Sequence, residues 1–436
     1  MNAAETVRAR VFNVPPGVSF LPTFAARFLA GGVIAGFPGE GPLALAAATI
    51  YVPTRRAARA LVAEFARLLP GPSALLPRII PLGNLESLES DLLFEEPGLE
   101  DAHLVDVPEA ASAIDRRLVL TCLILAWARQ MRDAVAQIDA NGEAVSDPDA
   151  VPLVAASPGH AWRLAGDLGS LIDEMIIEGV DWRLLEKIVP DSFDKYWRIT
   201  LDFLKIAIAL WPEYLRERNL VDSTERRASL IEAEVARLAS LRSGAPVVAI
   251  GSTGTNKATA HLLAAIARSP SGAVVLPGLD KDLDENAWQL IAGGEGDRKF
   301  NGHDSGAGHP QAALRRLLGV LRVTREEVVD LAVLPPPIAT RMRFLQEALR
   351  PADSTEHWRA YASTLDAPQL DCALEGISLI EADDERDEAL ALAIALREVL
   401  ERPGATAALV TPDRQMARRV RAELARWDID VDDSGG

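Results

Sequence analysis

A strand, a glycine-containing turn and a lysine follow one another in VVAIGSTGTNKATA, residues 247–260. A phosphate-binding loop has the same order of parts: glycines let the backbone approach the phosphates, a lysine meets the β- and γ-phosphates, and a serine or threonine holds Mg²⁺. When the stretch is aligned on Gly251, Lys257 takes the lysine position, but Asn256 stands where the second glycine belongs and Ala258 where the hydroxyl belongs. The loop therefore offers no ligand to Mg²⁺.

Two interpretations of this stretch are open at this point. In the first, the degenerate loop still serves an active ATPase through Lys257. In the second, which the missing glycine and hydroxyl favour, the stretch is an ordinary strand, turn and helix capped by Thr255 or Asn256. The string SLIEADDE, residues 378–385, has the apolar strand and carboxylates of the acidic motif that accompanies such loops, but acidic residues equally stabilise the start of a following helix.

Metal chemistry has few candidate residues in this sequence. A metal-dependent nuclease core needs an aspartate and a carboxylate–x–lysine set, and the single match, Asp297 to Lys299, lies in the glycine-rich loop 293–310 rather than on a strand. Cys122, within LTCLILAW, is typical of a small core residue. The histidines are scattered, at His103, His160, His261, His303, His309 and His357. We therefore expect no metal site and no catalytic residue in this chain.

A basic helix start is the one positive indication of ligand binding. In PTRRAARAL, residues 53–61, a strand ends, Thr54 is well placed to cap the next helix, and Arg55 and Arg56 follow it. The first amides of a helix together with arginines form a good phosphate site, which makes these three residues candidates for contacts with a DNA backbone. The alternative is a solvated basic helix start that binds nothing.

Alternating strand and helix patterns must position these loops. Strand patterns at 10–14, within 43–53 and near 78–81 enclose helical patterns at 20–30 and 55–69. Strands return at 245–250 and 272–278, on either side of a helical pattern at 257–268. Strands that alternate with helices indicate an α/β fold with a parallel sheet.

The intervening and following segments suggest further domains. Between the two α/β portions the patterns are helical, and near the end ISLIEA (377–382) and TAALVT (406–411) read as strands, followed by helical patterns at 384–401 and 413–427. Because one and a half βα units cannot cover both faces of a parallel sheet, we expect this last portion to be a truncated domain. The predicted divisions are α/β at 1–107, a helical insertion at 108–242, a return to α/β at 243–350, a linker at 351–376 and the start of a second α/β domain at 377–436.

Composition limits the class of protein. The 436 residues include 45 Lys+Arg against 63 Asp+Glu, a net charge of -18, which argues against attraction to DNA over the whole surface but not against a local basic groove. Two cysteines exclude a disulfide framework, the first residues contain no signal peptide, and the longest apolar run, Leu118–Ala128, is too short to span a membrane. We expect a soluble, cytoplasmic protein without a membrane partner.

Several strings resemble known DNA-processing proteins. The segment 401–436, ending in IDVDDSGG, looks like the start of the second motor domain of superfamily 1 helicases, and PTRRAARALVAEF resembles the segment that contacts single-stranded DNA in their first motor domain. Five further strings together resemble AddB, the second subunit of bacterial AddAB helicase–nucleases, in its alphaproteobacterial form: VFNVPPGVSFLPTFAARFLAG, YWRITLDFLKIAIALWPEYL, DSTERRASLIEA, AIGSTGTNKATAHLLAAIA with GAVVLPGLDKDLDENAW, and HPQAALRRLL.

The resemblance implies a RecA-like parallel-sheet domain in a complex that processes DNA ends at double-strand breaks for recombination. Its ATP and Mg²⁺, and an iron–sulfur cluster that belongs with the nuclease half, would be cofactors of the full complex, and we expect none in this chain. In superfamily 1 the phosphate loop follows the first strand, but here that segment has no lysine and a single glycine, Gly17. The turn at Gly251 falls where an acidic motif would stand, and glycine replaces the acid.

The sequence thus favours a helicase-like scaffold without ATPase activity, which binds an AddA-like motor and nuclease subunit as a heterodimer and guides single-stranded DNA. Two alternative hypotheses, from other functional classes, remain open. One is an active P-loop ATPase that uses Lys257, and the other is a helical module that binds only proteins and makes no DNA contact.

Overall fold

The computed structural model describes residues 9–39, 43–69, 75–82, 108–134, 137–138, 144–145, 157–182, 184, 194–240, 244–291, 306 and 308–433. The chain forms two compact units, Met1–Leu365 and Asp366–Gly436. The described strands are β1 Val11–Val14, β2 Thr49–Val52, β3 Arg78–Pro81, β4 Glu109–Ala110, β5 Gln137–Ile138, β6 Ala144–Val145, β7 Leu220–Val221, β8 Val247–Ile250, β9 Gly272–Pro277 and β10 Val329–Asp330.

The described α-helices follow the same chain order. They are α1 Phe20–Leu29, α2 Arg55–Leu68, α3 Ala113–Ala134, α4 Pro158–Glu178, α5 Asp194–Lys205, α6 Trp211–Glu217, α7 Ser223–Ser240, α8 Lys257–Arg268, α9 Glu285–Leu290, α10 Ala312–Leu321, α11 Pro336–Ala348, α12 His357–Thr364, α13 Ala367–Leu374, α14 Glu385–Leu400 and α15 Arg414–Ala425. A π-helical turn, Ile206–Leu210, joins α5 to α6. None of these described helices combines the length and apolarity of a membrane crossing.

A six-stranded sheet organises the first unit. Its order is β10-β1-β9-β8-β2-β3, and each neighbouring pair is parallel. This confirms the predicted α/β class, with the kind of parallel sheet expected of a RecA-like domain. The connections from β1 to β2 and from β8 to β9 run in opposite directions across the sheet. Ligands in open α/β folds bind at the carboxyl ends of the strands, beside such a change of direction.

Helices cover both faces of this sheet, as a buried parallel sheet requires. On one face the apolar side chains of α1 and α2 pack on the strands, with Phe24, Phe28 and Phe65 fully buried. On the other face α8 and α10 pack through Leu262, Leu317 and similar residues. The strands are short and aliphatic, and α8 begins and ends at the residues that its apolar periodicity predicts.

The helical portion between β3 and β8 is tied together by a buried polar network. Asp222, which is only 2% exposed, accepts from the Trp211 indole at 3.2 Å and lies 3.2 Å from Nε of Arg116. The same Arg116 donates to Asp173 at 3.0 Å, and Asp173 also accepts from the Thr224 hydroxyl at 2.7 Å. Because buried charges are tolerated only when they are paired, these contacts fix α3, α4 and the start of α7 in one arrangement.

Helix α7 joins this helical portion to the sheet. Its Ile231 and Leu238 belong to the apolar core that α8 and the sheet share. Its Glu234 accepts a hydrogen bond from the Tyr51 hydroxyl of β2 and is paired with Arg237 at 2.7 Å. Burial, and then the Glu234 charge, raise the pKa of Tyr51 well above its ordinary value, so this phenol stays protonated.

The second unit corrects part of the sequence interpretation. Helices α14 and α15 pack together through Ala393, Val420 and neighbouring residues, close to their predicted bounds. The strand predictions at 377–382 and 406–411 are wrong for the described structure, in which neither segment joins a ladder. An apolar segment becomes a strand only when another strand pairs with its backbone, and Leu379 and Val410 are 86% and 93% exposed.

The segment 351–376, predicted as a linker, also contains structure. A 3-10 turn, Ala352–Ser354, and helices α12 and α13 lie within it. Pro351 precedes the 3-10 turn and Pro368 is the second residue of α13, so both stand at helix starts, where the missing amide hydrogen costs nothing. Asp366 and Gln369 form a reciprocal capping box at the start of α13.

Candidate functional site

Three chain segments meet at the carboxyl ends of β1, β2 and β8. Gly251, the first residue after β8, has φ +69 and donates its backbone N–H to the Val275 carbonyl at 3.0 Å. A methyl group added at Gly251 would be 3.4 Å from the Phe20 ring and 3.7 Å from Cδ of Pro53. The partly exposed Phe20 ring, the turn before α2 and the turn after β8 therefore form one surface.

The start of α2 contributes the cationic side chains of this surface. The predicted cap is confirmed: the Thr54 hydroxyl oxygen accepts from the Ala57 N–H at 3.1 Å, with Thr54 in an extended conformation. Arg55 and Arg56 follow as the first two helical residues, and both are exposed, as is Arg59 one turn later. The first turn of the helix itself carries no acidic residue.

The turn after β8 lacks the geometry of a phosphate cradle. Asn256 caps α8, because its side-chain oxygen accepts from the Thr259 N–H at 2.7 Å, which confirms one of the two predicted caps. A methyl group added at Gly254 would be 2.8 Å from Cδ1 of Leu317 and 3.4 Å from Cδ1 of Leu263. Apolar side chains of α10 and α8 thus fill the space beneath the backbone of this turn.

The side chain of Lys257 is directed toward the helical insertion. A methyl group added at Gly179, the left-handed residue that ends α4, would be 3.5 Å from Nζ of Lys257 and 3.4 Å from its Cδ. Ala258, at the position of the missing Mg²⁺ hydroxyl, lines a cavity on the same side. Lys257 and Ala258, two of the positions aligned with the phosphate-loop motif, therefore lie where α8 faces the helical insertion.

Two apolar side chains of α11 lie against the turn after β1. Gly17 has φ +90, and a methyl group added there would be 2.6 Å from Cγ2 of Ile338 and 3.5 Å from Cγ and Sδ of Met342. Both of these residues belong to α11. Since a phosphate needs hydrogen-bond donors around it, apolar side chains at this position are unsuited to a triphosphate.

A polar cluster beyond β9 was not predicted from the sequence. The buried Asn13 side chain donates to Asp330 at 2.7 Å and accepts from the Leu279 N–H at 2.8 Å. The carboxylate of the buried Asp280 accepts from the Leu283 N–H and from Gln346, both at 2.9 Å. Burial raises the pKa of Asp280, while the backbone donors oppose that shift. With its donors and acceptors paired, the cluster closes a loop and offers no reactive group.

His309 lies beside this loop. Its Nδ1 accepts from the Gln311 N–H at 3.1 Å, and its Nε2 is 2.8 Å from the Leu349 carbonyl oxygen to which it donates. Burial lowers the pKa of His309, which is consistent with a neutral ring held between two backbone groups. His303 and the Asp297 to Lys299 string lie outside the described residues.

The carboxylates at the end of the string 378–385 belong to the start of a helix. Asp384 accepts from the Arg386 and Asp387 N–H groups at 2.8 and 2.9 Å, and these two backbone bonds lower its pKa. Glu385 is paired with Arg419 of α15. Over the described ranges, no three His, Cys, Asp or Glu side chains come close enough to hold a metal ion.

Comparison with known proteins adds no family assignment. No protein-family model matches the chain, and no curated protein shows significant sequence similarity to it.

Proposed function

We propose that this chain is a helicase-like scaffold without ATPase activity, which guides single-stranded DNA along the carboxyl edge of its parallel sheet. One observation carries the proposal: Phe20, the Arg-bearing start of α2 and the turn at Gly251 converge there. Single-strand-binding proteins combine basic groups that follow the backbone with aromatic rings on which bases stack. Arg55 and Arg56 are exposed and Phe20 is partly exposed, so groups of both kinds reach solvent near this edge.

The two nucleotide-loop positions support the absence of ATPase activity in this proposal. Leu317 packs beneath the turn after β8, and Ile338 and Met342 pack over Gly17 after β1. Neither turn carries the lysine, glycine and hydroxyl combination that binds Mg²⁺ and phosphates. The hypothesis of an active ATPase at Lys257 has no geometric support from these contacts.

The wider role is also a proposal. The family resemblance leads us to propose an AddB-type subunit that acts in the cytoplasm, in DNA end processing for double-strand break repair and recombination. Its partner would be an AddA-like motor and nuclease subunit, which would supply ATP hydrolysis. Co-expression with such a subunit, followed by size-exclusion chromatography, tests this role, and separate elution of the two chains at micromolar concentration contradicts it.

DNA guidance is tested by the fluorescence anisotropy of a labelled oligothymidylate. We expect salt-sensitive binding that weakens by about tenfold or more in Arg55→Ala/Arg56→Ala, with a log–log salt slope that falls by about 1.4, since each single-strand phosphate contact contributes about 0.7. Arg67→Ala is the matched control, because Arg67 lies at the other end of α2 and pairs with Glu64 at 2.8 Å. Equal weakening in the control, or no binding by the unmutated chain, rejects this role and favours a purely protein-binding module.

A further inference from the structure

A cavity of about 340 Å³ lies between the helical insertion and the start of α8. Ile176 and Ile177 of α4 and Ile231 of α7 form the apolar part of its lining. Its rim is polar and carries Lys257, Arg227 and His261. Small-molecule sites are likewise concavities of a few hundred Å³ that combine apolar lining with polar groups.

The rim carries more basic than acidic side chains. Glu232 is its one carboxylate, and that group already lies 3.2 Å from Nδ1 of His261. No residue in the described ranges forms a hydrogen bond or ion pair with the Lys257 ammonium. Among the described residues the Lys257 ammonium has no anionic partner, and beside the apolar part of the lining it favours a ligand with one negative charge and an uncharged body.

We infer that this cavity binds a small organic anion, a carboxylate joined to a compact apolar body. The carboxylate meets the Lys257 ammonium, and the apolar body lies against the lining isoleucines. The volume is at the lower end for ligand sites, which suits a body of one or two rings. This inference does not depend on the proposed DNA contact, because the cavity lies on the insertion side of α8 and shares no residue with the surface around Phe20 and Arg55.

The position of the cavity gives such a ligand a defined consequence. Its lining comes from α4 and α7 of the insertion and from α8 of the sheet domain, so a bound molecule contacts both portions at once. A ligand that binds only the folded arrangement stabilises it by mass action. We therefore expect binding to raise the unfolding temperature of the chain as the ligand concentration rises.

The test uses 1-naphthoate as the probe, with its own fluorescence as the signal. We expect saturable binding that weakens by about tenfold in Lys257→Met, the loss of one charge-assisted hydrogen bond. Lys205→Met is the matched control, since Lys205 is exposed on α5 and paired with Asp202. A second variant, Ala228→Leu, fills the cavity from α7 and should abolish binding while the unliganded unfolding temperature stays within a few degrees of the unmutated protein.

Comparator molecules decide between this ligand class and others. The neutral analogue 1-naphthalenemethanol should bind at least about tenfold more weakly than naphthoate, since it lacks the charge that Lys257 meets. Inorganic phosphate should not compete with naphthoate. The inference is overturned by absence of naphthoate binding, by equal binding of the alcohol, by competition from phosphate, or by unchanged binding in Lys257→Met or Ala228→Leu.

Discussion

Gly17 lies directly beneath Ile338, so that a methyl group at Gly17 would approach Cγ2 of Ile338 to 2.6 Å. This contact joins the turn after β1 to α11, which lies more than 300 residues further along the chain. The positive φ of Gly17 and the close approach both exclude a side chain at this position. Glycine is therefore required in this turn by its packing against α11, whereas in a phosphate loop glycine is required by the approach of the phosphates.

Gly17→Ala should destabilise the first unit by about 1–3 kcal/mol, because it combines a left-handed backbone with a steric overlap. Urea unfolding followed by tryptophan fluorescence measures the change. Gly319→Ala is the control, since Gly319 lies on α10 with open space around it and should be neutral or more stable by about 0.5–1 kcal/mol. A Gly17→Ala midpoint equal to that of the unmutated chain contradicts the packing argument.

Tyr51 should make stability depend on pH in the alkaline range. Its pKa is raised in the folded state, so above the ordinary value of 10.0 the unfolded chain releases this proton while the folded chain keeps it. The contribution of Tyr51 to the free energy of unfolding is therefore fully present below about pH 10 and decreases as the pH rises further. The stability difference between the unmutated chain and Tyr51→Phe should be constant from pH 7 to 9 and should shrink at higher pH, and a constant difference to pH 11 contradicts the shift.

The network around Asp222 should respond unequally to single and double substitutions. Arg116→Met leaves the Asp222 carboxylate buried without its ion pair, which should cost about 3–5 kcal/mol. Removing both charges in Arg116→Met/Asp222→Leu should cost clearly less than the sum of the single variants. Chemical denaturation measures all three, and Arg67→Ala, at an exposed pair, should change stability by less than about 1 kcal/mol. Additive single and double effects would show that the two side chains do not interact.

Local patterns predicted the elements of the sheet domain well because the apolar spacing and capping residues of each element lie within its own segment. The apolar spacing of 257–268 and the capping residues Thr54 and Asn256 appear in the structure as the sequence indicates. The segments 377–382 and 406–411 show the limit of such patterns, since a strand also needs a partner that its own residues do not specify.

The candidate site depends on contacts that no local pattern contains. Phe20 meets Gly251 because β1 and β8 are both neighbours of β9, an order that cannot be read from any one string. The direction of Lys257 likewise depends on where α4 ends, at Gly179. An aromatic residue at the first position of the helix after β1 was the signal that could have placed Phe20 at the carboxyl edge.

Restoring the missing motif residues after β8 should not create a nucleotide site. The double variant Asn256→Gly/Ala258→Ser rebuilds the sequence GSTGTGKS, and glycine is nearly as good a cap as asparagine, so the fold should persist. The space that phosphates would need beneath Gly254 is occupied by Leu317, which the two substitutions leave in place. We expect no binding of Mg²⁺–ATP by calorimetry up to millimolar nucleotide. Micromolar binding that a further Lys257→Ala abolishes would show instead that the turn keeps the geometry of a phosphate loop and has lost only its side chains.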